Sequence, residues 1–374
     1  MSGWFDPGFT TDTLSAVFGP EARAAAMLRF EAALAAAEAD CGLIDADTAA
    51  EIAAAAETII VDATDIFRAG WEEGTPVIPL LDQMREQLST QAGEALHRGA
   101  TTQDVVDTAT MLQVGEAIDV LVGDLDPLVS DLTGLAKTHR DTPALARTFL
   151  QPAGVTTFGL RVAYWMAPVG RHRISLWRLR ESLPIQLGGA VGTRHMLGGR
   201  GAQVAALLAE ALGLADPPSP WHGDRSPIAG AVAAVAGLAG DMAKIAGDLV
   251  LLSHLGELRS RPGRSSIIAG KQNPIDPMRA LAAADVCRGA ATIVLTARPP
   301  ELERGVGGWH AEWWAVPSVF QAGGAAVEAI ARAVSELEVD PEAMEANIGE
   351  MDRDVGEAGA LVDTLLDTLE EDHE

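Results

Sequence analysis

Aromatic residues are scarce in this chain of 374 residues: Phe, Trp and Tyr together make up 5%, and Tyr occurs once. Sheet-rich folds draw on aromatic and β-branched side chains, so this scarcity argues against one. Cysteine is also rare. Cys41 and Cys287 lie far apart and fit neither a disulfide framework nor a zinc-ligand spacing, which leaves a cytosolic, cytoplasmic protein as the expectation. Positive charge is in deficit, with 27 Lys and Arg against 53 Asp and Glu, a formal net charge of −26. Such a mean field repels phosphate backbones and anionic headgroups, so neither nucleic acid nor a membrane surface is expected as a partner. No basic segment followed by an apolar run opens the chain, so no secretory signal is expected. The least polar stretch, residues 228–240, stops at Asp241 and is too short to span a bilayer; it is expected to be a core helix.

What the chain does have is apolar mass. Hydrophobic residues make up 48% of it, enough for a sizeable core, and the length suggests two or three domains or one elongated architecture. Ala and Leu dominate, and both enter helices at little entropic cost, so the expected fold class is all-α. Residues 21–41 carry Met27, Phe30, Leu34, Ala37 and Cys41 at three- and four-residue steps, with Gly42 as the stop. Asp47 is expected to cap a second helix over 48–59. Residues 74–80, with two prolines, are expected to be an extended entry to the next helix. Helical periodicity also covers 105–137, 156–181, where Pro168 is expected to kink or interrupt it, and 228–258. In the last of these Val232, Val235, Leu238, Met242, Ile245, Leu249, Leu252 and Leu255 form one stripe, flanked by Ala and Gly. More than one apolar face implies burial in a bundle or at a subunit interface. No hairpin signal of comparable strength is seen.

Four islands break these helices, at 96–104, 146–155, 259–277 and 305–314, the last holding His310 and Glu312. The first reads H-R-G-A-T-T-Q-D-V-V-D-T from His97. Thr101, Thr102 and Asp104 before a long helix supply N-cap candidates and free backbone N–H groups, a place for a carboxylate, although an ordinary capped helix start reads the same way. The second, R-T-F-L-Q-P-A-G-V-T-T-F-G, offers the Arg147 guanidinium and the Gln151 amide; a surface ion pair plus a cap is the alternative. In the third, G-R-S-S-I-I-A-G-K-Q-N-P from Gly263, Lys271 and Asn273 supply a cation and an amide able to hold developing negative charge, whereas composition alone fits a flexible linker equally well. Because the overall field is acidic, an anionic substrate would require a local cationic pocket.

In this order the islands resemble the signature regions of the fumarase/aspartase superfamily, and from about residue 5 to about 347 the text is similar to its 3-carboxy-cis,cis-muconate cycloisomerase branch. The strings that carry the resemblance also include Q-L-G-G-A-V-G-T from Gln186, W-H-G-D-R from Trp221 and G-W-H-A-E-W from Gly308. The resemblance implies a bundle of very long helices that associates into a homotetramer with active sites shared between subunits. The corresponding division is an N-terminal helical domain over 1–104, a central long-helix bundle over 105–340 and a short C-terminal helical remnant over 341–374 in place of a third domain. One amphipathic helix is expected in that tail, fraying from Glu370.

The activity implied is cofactor-independent: intramolecular carboxylate addition to a conjugated double bond of 3-carboxy-cis,cis-muconate, through an aci-carboxylate, in aromatic degradation by the β-ketoadipate pathway. The substrate is a small anionic polycarboxylate. On the same resemblance Ser265 is the acid/base, with Ser266 its rival. Lys271 and Asn273 hold the reacting carboxylate, Thr101, Thr102 and Arg147 are further anion ligands, Gln151 orients, and His97 lies at the substrate pocket. His310 and Glu312 read as a buried polar pair bracing Trp309 and Trp313, and His222 as structural. Two positions depart from the superfamily pattern. Its loop reads G-S-S-x-M-P-x-K-x-N-P, where this chain has Arg264 for the Gly and Ile268-Ala269 for Met-Pro. Many members carry a His after R-T-x-x-Q, where this chain has Pro152, a side chain that can neither donate nor accept. A β-eliminating lyase on a succinyl-type substrate and an inactive helical scaffold are the rival readings.

Overall fold

The structure, a computed structural model, describes residues 6–297 and 300–371. Phe5, where the family resemblance begins, lies outside them. The first half of the chain opens with α1 (Asp12–Val17) and α2 (Pro20–Asp40), then α3 (Ala46–Thr58), α4 (Ala63–Glu73), α5 (Val77–Arg85) and α6 (Thr90–Ala95). Helix α2 stops as its sequence requires. Gly42 takes φ +66°, and Leu43 N–H donates back to Glu38 O at 2.8 Å, a Schellman closure. Asp45, not Asp47, holds the N-cap position of α3, which leaves Asp47 in its first turn. The expected extension over 74–80 is shorter than its prolines suggested. Pro76 is the N-cap of α5 and Pro79 lies in its first turn, where a missing N–H costs nothing because that N–H has no helical partner.

Helix α7 (Thr102–Thr138) is 37 residues long, about 55 Å at 1.5 Å per residue. Pro127, which the periodicity reading passes over, lies inside it. At its far end come β1 (Pro143–Thr148) and β2 (Gln151–Thr157), an antiparallel hairpin where a loop was expected. Helix α8 (Phe158–Glu181) returns along α7 and continues through Pro168. After α9 (Gly201–Leu212), α10 (Ser226–His254) runs the length of the bundle. It is followed by β3 (Leu258–Arg259), β4 (Pro262–Gly263), β5 (Asn273–Pro274), α11 (Ile275–Leu295), α12 (Gly308–Ser335) and β6 (Glu338–Val339). The tail forms two helices rather than one, α13 (Pro341–Ile348) and α14 (Ala358–Glu371); residues 372–374, expected to fray, lie outside the described residues. Val362, Leu366 and Leu369 of α14 join the main core, which ties the tail to the bundle.

Two cores are buried. The larger is shared by α7, α8, α10, α11 and α12, and the smaller joins α2 to α6 with the start of α7, α9 and the strand-like segment around Ile185 and Leu187. Close helix approach depends on small residues: a Cβ on Gly323 would lie 2.5 Å from Val235 Cγ1, and one on Gly324 2.1 Å from Leu14 Cδ1. The stripe of α10 from Val232 to Leu252 is buried within the subunit, and Leu255 alone of its members is 37% exposed. By length and composition α10 could cross a membrane, and it extends well beyond the 228–240 stretch that was judged too short. Its stripe packs instead against α8, α11 and α12. On its other face a Cβ added at Gly230, Gly240 or Gly247 would meet open space.

Candidate active site

The polar islands fall at opposite ends of α7. At its N-terminus His97 and Gly99 both take left-handed backbone conformations, φ +63° and +71°, which turn the chain so that Thr101 becomes the N-cap. Thr101 and Asp104 form a reciprocal capping box. Asp104 does more than cap. Fully buried, it accepts N–H bonds from Thr101, Gly188 and Gly189, each at 2.9 Å, and lies 2.6 Å from His222 Nε2. The start of α7, the Q-L-G-G turn and the W-H-G-D-R string therefore meet on one carboxylate. Thr102, the first residue of α7, is half-buried beside them.

One turn along α7, Asp107 accepts both Arg225 guanidinium nitrogens at 2.7 and 2.9 Å and the Trp309 indole N–H at 2.9 Å. Arg225 also donates to Glu312 at 2.6 Å. Burial raises the Glu312 pKa, against the pull of Arg225. Glu312 and His310 thus do not form the pair read from the sequence, and they lie on a helix rather than a loop. Glu312 faces inward to Arg225, while His310 Nε2 lies 3.1 Å from Gly74 O and its ring packs against Trp71, Trp309 and Trp313. Arg304 donates to Thr101 Oγ1 at 2.8 Å, placing a guanidinium at the proposed carboxylate site.

His97 Nδ1 lies 2.7 Å from Glu31 Oε1, and Glu31 is fully buried in α2. Burial opposes the charged imidazole, but the charge and hydrogen bond of Glu31 outweigh it, so the His97 pKa is raised. Glu31, Arg304 and the Asp104–His222 contact escaped the sequence reading. Glu31 left a trace, since it is an acid set between Phe30 and Leu34 on an apolar helix face.

At the other end of α7, Arg147 is not free for a carboxylate in this chain. Its Nη2 donates to Glu257 Oε1 at 2.6 Å, and Glu257, fully buried, also accepts from Asn347 at 2.8 Å. Gln151 opens the exposed return strand, paired with Thr148 across a tip made of Phe149 and Leu150. Both tip residues have positive φ, and Phe149 is 99% exposed. Pro152 lies opposite Arg147 beside a bulge, a position where a strand tolerates a missing N–H.

The third island projects from the same end. Pairing of Gly263 with Asn273 clamps its base, and a Cβ on Gly263 would lie 2.0 Å from Ile275 Cγ1, so a larger residue there would displace the Ile275 side chain. Ser265 Oγ accepts N–H bonds from Ile267 at 3.3 Å and Ile268 at 3.0 Å, a small backbone cradle able to hold negative charge on that oxygen. Ser266 is exposed next to it. Lys271 is exposed and makes no side-chain hydrogen bond or ion pair among the described residues, and Asn273 donates to Arg264 O at 3.4 Å. Ser265, Ser266 and Lys271 line one cavity of about 590 Å³. Within one chain, then, the structure joins Ser265 with Lys271 and His97 with the Thr101 region, and the full length of α7 separates the two groups.

A lyase family model matches residues 8–287. The chain belongs to that family, within the fumarase/aspartase superfamily. The lyase is 36% identical over 355 residues to a 3-carboxy-cis,cis-muconate cycloisomerase of Pseudomonas aeruginosa, an alignment covering 92% of this chain and 77% of that one. It is 35% identical over 364 residues to a nitrosuccinate lyase of Streptomyces davaonensis, covering 93% of this chain and 77% of the relative. Among solved structures, the 3-carboxy-cis,cis-muconate lactonizing enzyme of Pseudomonas putida superposes with a TM-score of 0.91 over 100% of both chains, at 28% identity. The lyase thus shares the long-helix architecture of that enzyme.

Proposed function

We propose that this lyase is a cycloisomerase that converts 3-carboxy-cis,cis-muconate to a carboxymuconolactone. The observation that carries the reading is the Ser265 hydroxyl, held by two backbone N–H groups on the same loop as Lys271, whose side chain has no partner among the described residues, in a chain so similar to a cycloisomerase of that substrate. A carboxylate oxygen of the substrate adds to the conjugated double bond, and the electron pair moves toward the neighbouring carboxylate as an aci-carboxylate. Ser265 delivers the proton to the α-carbon, so one proton is consumed and no bond to the protein forms. Lys271 and Asn273 neutralise the developing dianion, and His97, Thr101 and Thr102 hold the remaining carboxylates, with Arg304 beside them.

Because the Ser265 and His97 groups lie a helix length apart, one site takes them from different chains. We read the assembly as a homotetramer, joined in part along the small-residue face of α10, with Gln151 brought to the site by a neighbouring subunit and Arg147 left bound to Glu257. A cytoplasmic location suits the two free, buried cysteines.

The test is to add 3-carboxy-cis,cis-muconate to purified protein and follow the diene absorbance, which should fall. Elimination from a succinyl-type compound is the second reading, favoured by the nitrosuccinate lyase relative and by Pro152 in place of the superfamily histidine. Fumarate or its analogue released from a succinyl compound, with the diene untouched, would select it.

A further inference from the structure

The least economical feature of the smaller core is a pair of acids on α2. Glu31 and Glu38, two turns apart, are each 1% exposed, and each has one carboxylate oxygen without a hydrogen-bond partner. The core they sit in also holds Phe30, Leu34 and Leu81, and burying a carboxylate in apolar surroundings is unfavourable unless the group is paired. Glu31 spends that cost on one contact, Oε1 to His97 Nδ1 at 2.7 Å. The geometry fixes the ring. Glu31 takes the Nδ1 side, so Nε2, which has no protein hydrogen bond among the described residues, is the nitrogen left for a ligand. His97 is also held at φ +63°, a left-handed backbone conformation that non-glycine residues seldom adopt. A buried acid, an oriented imidazole and a strained backbone, four residues before Thr101, converge on one side chain.

We propose that Glu31 is a positioning residue that holds His97 as an imidazolium, Nδ1–H on its carboxylate, and so presents Nε2–H as a fixed donor to a substrate carboxylate. The role rests on the reading of His97 as part of the substrate pocket. Several charged groups face the pair. Asp104 supports the imidazolium and Arg85 opposes it; Arg98 and Glu31 act on Glu38, and His222 sits on Asp104. Glu38 itself is pushed by burial to about 8, so near neutral pH it is protonated and adds little negative charge to the pair.

The test needs no substrate. Diethyl pyrocarbonate modifies neutral imidazole at a free nitrogen, so the pH dependence of labelling on the His97 peptide, read by mass spectrometry between pH 5 and pH 9, reports its protonation (the scan brackets the ordinary histidine value of about 6.5). In the unaltered protein labelling should rise only above the ordinary histidine range. In Glu31→Gln, which keeps the shape and removes the charge, the midpoint should fall by about one pH unit or more. Glu38→Gln should leave it in place. An ordinary or lowered midpoint in the unaltered protein overturns the proposal, even if Glu31→Gln fails to fold, and so does an unchanged midpoint in a folded Glu31→Gln protein. If the diene assay is positive, the alkaline limb of kcat/KM should move down by the same amount in Glu31→Gln. A negative diene assay with a shifted labelling midpoint counts against the cycloisomerase reading and leaves the Glu31–His97 pair standing.

Discussion

The two ends of α7 are built on opposite principles. At its N-terminus the acids of α7 are buried and paired: Asp104 accepts three backbone N–H bonds and contacts His222, and Asp107 accepts from Trp309 and from Arg225, which also donates to Glu312. At its C-terminus Ser265 and Lys271 sit on a projecting loop, where Ser265 Oγ accepts from its own turn and Lys271 has no side-chain partner among the described residues. The difference teaches a division of labour. A satisfied network fixes positions before any ligand arrives, whereas on the proposed reading the Lys271 cation and the cradled Ser265 hydroxyl gain their partners when the loop meets another surface.

The comparison predicts that mutations at the two ends fail in different currencies. The largest effect belongs to the loop: Ser265→Ala should reduce turnover by about two to four powers of ten with the helical circular-dichroism spectrum unchanged. Full turnover in both Ser265→Ala and Ser266→Ala would remove the serines from the chemistry. At the buried end, Asp107→Ala should cost about 3–5 kcal/mol in denaturant unfolding, because it leaves Arg225 with Glu312 as its one remaining carboxylate and the Trp309 N–H without its acceptor. A loss of activity there without a loss of stability would blur the contrast between the two ends.

Lys271→Met should lower kcat/KM by about two to three powers of ten, the usual scale for one group stabilising a developing oxyanion, and leave the unfolding midpoint where it is. Unchanged kinetics would mean that the loop does not close over substrate. The smallest effect is a pH-dependent one. Burial raises the Glu38 carboxyl to about 8 from an ordinary value of 4.5, so the folded protein holds this proton where the unfolded chain has released it. Its contribution to stability is complete below about pH 4.5. It is lost as pH rises toward about 8. Glu38→Gln, which mimics the protonated acid, should match the original melting temperature near pH 4.5 and exceed it increasingly up to about pH 8. A constant difference across that range would place the cause elsewhere.

Periodicity made the long helices legible. Met27, Phe30 and Leu34 announced α2, and the stripe from Val232 to Leu252 announced α10, because a helix buries one face at regular steps and that step is written into the chain. The hairpin was invisible for a physical reason. Its strands use Pro, Ala and Gly, and its turn is Phe149-Leu150, without the Asn-Gly or Asp-Gly signal that marks tight hairpins. Glycines at 305, 307 and 308 made 305–314 resemble a loop, although α12 starts at Gly308. The site was readable as words but not as distances. Ser265 and Lys271 are neighbours in sequence and share a cavity, yet nothing near Arg147 announces Glu257, 110 residues away, which holds its guanidinium. Asp104 shows the same limit, since a capping box predicts its bond to Thr101 and cannot predict Gly188, Gly189 or His222.

The central claim is that one site draws its two halves from opposite ends of different chains, and subunit mixing addresses it directly. His97→Ala and Ser265→Ala proteins, each inactive alone and each folded, would be combined under conditions that exchange subunits, and turnover of 3-carboxy-cis,cis-muconate would be followed. Shared sites predict that activity returns, because a fraction of hybrid sites carries neither substitution. No activity after exchange has been demonstrated, or a monomer by sedimentation at micromolar concentration, would contradict the account.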